Sequence, residues 1–196
     1  MKKIVIFASG SGTNAENIIK YFNSTNTGTV VSVFTNNSNA KVIERAKNFE
    51  IPTEIFSKEE LFSGKVLQKL LAIAPDLIVL AGFLLKFPKT IVEIYPNTII
   101  NIHPALLPNY GGKGMYGMNV HRAIVENKEK ETGITIHFVN ENYDQGNIIF
   151  QKKVTVLVTD TPEVVAEKIH ELEQKYFPKV IEDLLISNSQ LLTSNF

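Results

Sequence analysis

Residues 3–14 read KIVIFASGSGTN: a short apolar run, Ile4 to Ala8, breaks at once into a glycine-bearing turn and then into helical sequence. An unbroken apolar run of this length, rich in residues that favour extended backbone, reads as a strand buried on both faces. A strand that passes through such a turn into a helix opens a strand–helix–strand unit. The chain repeats the unit. VVSVF, LIVLA and IINIH are runs of the same kind, and helical sequence separates them at Ala15 to Phe22, Lys41 to Asn48, Glu59 to Ile73 and Thr90 to Tyr95. That alternation specifies an α/β fold, a Rossmann-like, doubly wound and mostly parallel sheet with right-handed crossovers.

Beyond His103 the rhythm changes. Glycine and proline dominate as far as Met118, a short helix is expected from Val120 to Asn127, and ETGITIHFV and NIIFQKKVTV read as two strands joined by the turn-forming NENYDQG. The sheet should therefore become mixed toward the C-terminus. Thr161 and Pro162 form a helix start, with the threonine as cap and the proline in the first turn. Val165, Ile169, Leu172, Tyr176, Val180 and Leu184 then make one apolar stripe of a long C-terminal helix, bent at Pro178. No repeat or linker divides the chain, so residues 1–196 are expected to form a single domain.

Composition narrows the function classes. With 196 residues and 44% hydrophobic side chains the chain can bury a substantial core. Twenty Lys and Arg balance twenty Asp and Glu, so no net field draws it to nucleic acid or to an anionic membrane, and any anion must be bound locally. The absence of cysteine removes disulfides and thiolate chemistry and fits a reducing compartment. The apolar stretch after Lys2 and Lys3 is too short for a signal segment, which points to the cytoplasm.

Four places carry possible chemistry. In ASGSGTN, residues 8–14, glycine permits close backbone approach, and the free N–H groups of a helix start favour an anion. A simple strand-to-helix turn explains the same residues equally well. In LIVLAGFLLKFP, residues 77–88, an apolar loop after a strand could clasp a flat ligand, although core packing is the simpler reading. Asp144 lies in a turn, where geometry alone often explains an Asp. In IINIHPALLP, residues 99–108, Asn101 and His103 point to one face of a strand that Pro104 ends. Paired there, an amide and an imidazole suit the stabilisation of a developing oxyanion, and a nearby carboxylate would raise the imidazole pKa. His121, His137 and His170 show no ligand spacing, so no metal site is expected.

Taken together, GSGTN, VLAGFLLKF, NIHPALLPNYGGKG and YDQGNII resemble the folate-dependent formyltransferases, in the right order and over nearly the whole chain from Ile4 to Leu185. Within that family the nucleotide-type loop and compact length resemble the members of purine synthesis. The resemblance implies 10-formyltetrahydrofolate as co-substrate, no metal, and phosphoribosylglycinamide as acceptor. It places Asn101, His103 and Asp144 on the catalytic positions, and Gly12, Thr13, Asn14 and Glu173 on those that hold the acceptor. Leu84, Leu85, Lys86 and Phe87, with Asn101 and the turn Asn140, Glu141, Asn142, Tyr143 and Asp144, fall on the folate-binding segments. Residues 1–100 would then form the phosphate-binding half and 101–196 the catalytic and folate-binding half, in a monomer or homodimer. Lys58 or Lys65 stands as the cation for the folate glutamate tail, and Lys168 and His170 are available near the phosphate. Leu85 and Lys86 occupy the segment where family members commonly carry an arginine, and YGGKGMYGMNVH is a longer, more glycine-rich loop than is usual. A formyltetrahydrofolate hydrolase or a sugar-nucleotide N-formyltransferase would share the catalytic set. A dinucleotide-binding oxidoreductase or a noncatalytic nucleotide-binding module would explain the glycine loop but not Asn101, His103 and Asp144.

Overall fold

Strands buried on both faces need a helical layer on each, and the computed structural model, which describes residues 1–193, supplies both. In chain order the elements are β1 (Lys2–Phe7), α1 (Thr13–Asn23), β2 (Gly28–Thr35), α2 (Val42–Lys47), β3 (Thr53–Ile55), α3 (Lys58–Phe62) and α4 (Lys65–Ile73). They continue with β4 (Leu77–Leu80), α5 (Lys89–Ile94), β5 (Ile99–His103), α6 (Met118–Glu126), β6 (Glu131–Phe138), β7 (Ile148–Thr155) and α7 (Pro162–Thr193). The sheet order is β3-β2-β1-β4-β5-β6-β7. Pairing is parallel from β3 through β5 and antiparallel for β6 and β7.

Strand alternation divides the core. Ile4, Ile6, Val79, Ile100 and Ile102 pack on one face under α1, α2, α6 and α7. Val5, Phe7, Ile78, Leu80 and Ile99 pack on the other against Leu61, Val66, Leu70 and Ile91 of α3, α4 and α5. Phe7 centres this second layer, stacked on Phe34 at 4.9 Å and edge-on to Phe87 at 5.1 Å. Each such fully buried side chain contributes ~1.5–3 kcal/mol. The chain turns back on either side of β1 and β4, so their C-terminal ends, with that of β5, open a crevice at the point where the strand order reverses.

Three local expectations are corrected. The helix expected over Glu59 to Ile73 is two, α3 and α4, broken at Gly64 with φ 89°, and α3 starts at a capping box between Ser57 and Glu60. β3 was not expected, because a three-residue edge strand is too short for periodicity to reveal. In α7 Val165, Ile169 and Val180 are buried as expected, joined by Phe177, Ile181 and Leu185, while Leu172, Tyr176 and Leu184 are only partly buried. The helix packs against α1, α6, β6 and β7, so no single straight stripe meets one partner. Pro178 lies within it. Among the described residues no helix is long and apolar enough to cross a membrane.

Candidate active site

At the end of β5, Asn101 and His103 open into a cavity of about 540 Å³, within the usual range for small-molecule sites. Its walls come from both halves of the chain. They include the 10–14 loop, residues 80–87, Asn101 to Pro104, the 112–117 loop, Asn140, Asn142 to Asp144, and His170 and Glu173 of α7.

The turn after β6 carries Asp144 back over β5. Gly146 makes this possible, since any Cβ there would lie 1.6 Å from the Phe138 carbonyl oxygen. Asp144 itself has φ 53°, a left-handed conformation that an Asp tolerates better than most residues. Its Oδ2 accepts from Gly112 N–H at 2.9 Å and lies 3.6 Å from His103 Nδ1. Its Oδ1 lies 3.5 Å from Asn101 Nδ2. The three residues that the sequence singled out are therefore in one cluster.

Protonation follows from the partners. His103 Nε2 lies 2.7 Å from the Tyr110 carbonyl, which can only accept, so Nε2 carries a proton and Nδ1 is left facing Asp144. Burial pushes the His103 pKa below the ordinary histidine value, against the upward pull of Asp144 and of the Tyr110 carbonyl. Asp144 raises that pKa, as the sequence led one to expect, but burial outweighs it. Taking an imidazolium out of water costs more here than one carboxylate at 3.6 Å returns, so at neutral pH the resting ring is neutral. Burial also pushes the Asp144 carboxyl up, but His137, His103 and the Gly112 N–H outweigh it and hold the group below its ordinary value.

His137 is the member that sequence reasoning missed. It lies on β6 opposite Asn101 in the antiparallel register, its Nε2 is 3.1 Å from Asn101 Nδ2, and its Nδ1–H donates to the Phe138 carbonyl at 2.8 Å. A pairing of β6 with β5 would have been needed to find it, since 36 residues separate the two side chains.

Across the cavity, the 10–14 loop is pinned from behind. Gly12 has φ 73°, and a Cβ there would lie 2.5 Å from Val42. The Gly10 carbonyl accepts from Val42 N–H, and the Ser11 carbonyl from Arg45 Nε at 2.9 Å. Asn14 Nδ2 donates to Glu173 at 2.8 Å while its Oδ1 accepts from Gln174, so α7 and the loop meet at the cavity wall. Gly12, Thr13, Asn14 and Glu173 all line it.

The segments that the resemblance assigns to the folate also converge. Lys86 Nζ lies 5.9 Å from the centre of the Tyr143 ring, bridging 84–87 and 140–144. Leu84 is half exposed and Leu85 lines the same wall, whereas Phe87 is mostly committed to the aromatic cluster around Phe7. Glu141 is not part of the wall; it pairs with Lys89 at 3.2 Å. Lys58, Lys65 and Lys168 do not line the cavity either: Lys65 pairs with Glu60, and Lys168 with Asp160. Among the described residues there is no group of three or more His, Asp or Glu placed to hold a metal ion.

Comparison with known proteins gives matches along nearly the entire chain. The Formyl transferase family matches residues 2–181. The chain is 36% identical over 196 residues to the phosphoribosylglycinamide formyltransferase of Bacillus subtilis, covering 97% of this chain and 98% of that one. It is 38% identical over 187 residues to the chloroplastic enzyme of that name from Arabidopsis thaliana, covering 92% of this chain but 64% of the plant protein. It thus spans under two thirds of the plant relative's length. The crystal structure of phosphoribosylglycinamide formyltransferase from Bacillus halodurans superposes with a TM-score of 0.85 at 36% identity, covering 94% of this chain and 95% of that one.

Proposed function

The chain belongs to the formyl transferase family, and we propose that it transfers the formyl group of 10-formyltetrahydrofolate to the amine of 5'-phosphoribosylglycinamide, yielding the N-formyl ribonucleotide and tetrahydrofolate for purine synthesis. One observation carries this reading. Asn101, His103 and Asp144 meet on one side of a cavity whose other side is an amide-rich loop joined to the Glu173 carboxylate through Asn14. The first group suits acyl transfer, and the second suits an acceptor that bears both a phosphate and an amine.

The chain supplies five functions. The 10–14 loop offers N–H groups to the phosphate, and Glu173 orients the polar end of the acceptor. Leu84, Leu85 and the turn at 140–144 shape the wall for the flat ring of the folate, which brings a formyl carbon bonded to nitrogen. Asn101 points one amide hydrogen at His137 and the other, more weakly, at Asp144; this second, weakly engaged hydrogen is available to the oxygen on which charge develops. Resting neutral, His103 accepts at Nδ1 the proton that the amine must lose once its new bond to the formyl carbon forms. Asp144 then stabilises the imidazolium, and His103 returns that proton to the folate nitrogen as its bond to the formyl carbon breaks.

This reading places the enzyme in the cytoplasm, as a monomer or homodimer with small-molecule partners, and treats residues 1–100 and 101–196 as halves that both contribute walls to one site. The test is tetrahydrofolate release from 10-formyltetrahydrofolate with and without phosphoribosylglycinamide. Release that requires the ribonucleotide is expected. Equal release in its absence would mean water is the acceptor and would identify a hydrolase.

A further inference from the structure

His121 is a buried polar residue for which the proposed chemistry has no use. It lies on α6 beside Val120 and Ile124, only 5% exposed, and it lines the same cavity as His103 and Glu173. Its Nδ1 is sealed from solvent and has no hydrogen-bond partner; among the described residues only Thr132 Oγ1 is in the same position. Nε2 is thus the ring nitrogen with access to the cavity. The two nitrogens are not equivalent in cost, because a buried N–H without an acceptor is rarer in folded proteins than a buried acceptor without a donor. The favoured tautomer therefore keeps its lone pair at the sealed Nδ1 and its hydrogen on Nε2, toward the cavity. Burial also pushes the ring's pKa below the ordinary value, against the pull of Glu173, so this donor is neutral at neutral pH. As a packing residue His121 would be a poor choice. An unpartnered buried polar atom carries a desolvation penalty that a leucine of similar size would not incur.

We propose that His121 is a binding residue for the acceptor, its Nε2–H donating to an oxygen of phosphoribosylglycinamide on the stretch between the 10–14 loop and the reacting amine. This inference rests on the acceptor named above. His121 lines one cavity with Gly12, Thr13 and Asn14 and with His103, and α6, which carries it, packs against α7, which carries Glu173.

Three substitutions separate the two nitrogens. The amide nitrogen of glutamine can reach the position of Nε2, that of asparagine the position of Nδ1, and leucine neither. His121→Gln is expected to keep the KM for phosphoribosylglycinamide within about 2-fold, whereas His121→Asn and His121→Leu raise it by about 10-fold, the loss of one hydrogen bond. The KM for 10-formyltetrahydrofolate should not change. Equal effects in all three variants, no effect in any, or a parallel rise in the folate KM would overturn the assignment. A wild-type enzyme with no turnover would instead overturn the proposed function. A second measurement does not depend on turnover or on the variants folding well. In uniformly ¹⁵N-histidine-labelled wild-type protein, phosphoribosylglycinamide alone should shift the Nε2 resonance of His121; a resonance that stays in place at saturating ribonucleotide overturns the proposal.

Discussion

Asn101 and His137 face each other across the β5–β6 pair, with the amide nitrogen of one 3.1 Å from Nε2 of the other. Because Nδ1–H of His137 is occupied by the Phe138 carbonyl, Nε2 presents a lone pair, and this fixes which end of the Asn101 amide points inward. His137 is thus a positioning residue for the proposed oxyanion donor.

Removing it should release the amide to rotate. His137→Ala is expected to lower kcat by ~100-fold with KM values little changed, the usual consequence of misplacing a reacting group by about 1 Å. His137→Gln, which can still offer an acceptor, should lose much less. Steady-state kinetics on the two variants checks this, and an unaltered kcat in His137→Ala would remove His137 from the site.

The pH dependence has a definite sign. A base whose pKa is pushed down by burial stays unprotonated to a lower pH than an ordinary histidine. kcat/KM should therefore hold at neutral pH and fall only as the pH drops through the depressed pKa of His103. Asp144→Asn takes away the carboxylate that opposes this depression, so the acid limb should move further down while the plateau drops ~100- to 1000-fold. A pH–rate profile in which the limb moves up would contradict the assigned roles.

Gly12 and Gly10 offer a paired test of the loop. Gly12 combines φ 73° with a Cβ position 2.5 Å from Val42, whereas a Cβ on Gly10 meets nothing within 4 Å. Gly12→Ala is expected to lower Tm by several degrees and to raise the KM for phosphoribosylglycinamide more than that for the folate. Gly10→Ala should leave Tm near that of the wild type. Thermal melts and substrate kinetics on both variants decide the matter.

Tyr21 gives a test remote from the site. Its hydroxyl donates to Glu182 of α7, which also accepts from Thr27, and this contact and burial push its pKa up to about 12. A raised pKa means that the folded state prefers the protonated form. The stabilisation is complete below the unfolded value near ~10 and is lost as pH rises through about 12. Tyr21→Phe should therefore lower Tm modestly at neutral pH and flatten its fall over that alkaline window, as measured by melting across pH.

Legibility in the sequence followed the range of the interactions involved. The parallel core was readable because KIVIFA, LIVLA and IINIH bury both faces and so advertise themselves locally. Asn101 and His103 were readable as a pair because strand geometry alone puts them on one face. His137 was not, since its role depends on a strand register between segments far apart in sequence. The neutral state of His103 was also hidden. A carboxylate in the sequence argues for a raised pKa, and only the folded environment shows that burial outweighs it. Likewise the break at Gly64 was lost inside an apolar period that both α3 and α4 share, and the buried face of α7 depends on its packing against α1, α6, β6 and β7 together.

The most direct test follows the formyl carbon itself. Wild-type enzyme would be given 10-formyltetrahydrofolate labelled with ¹³C in the formyl group, together with phosphoribosylglycinamide, and the products would be separated and weighed by mass spectrometry. The expected result is label in the N-formyl ribonucleotide at one equivalent per tetrahydrofolate released, with incorporation all but lost in His103→Ala. Label recovered as free formate, or incorporation that persists undiminished in His103→Ala, would contradict the transfer reaction or the site assigned to it.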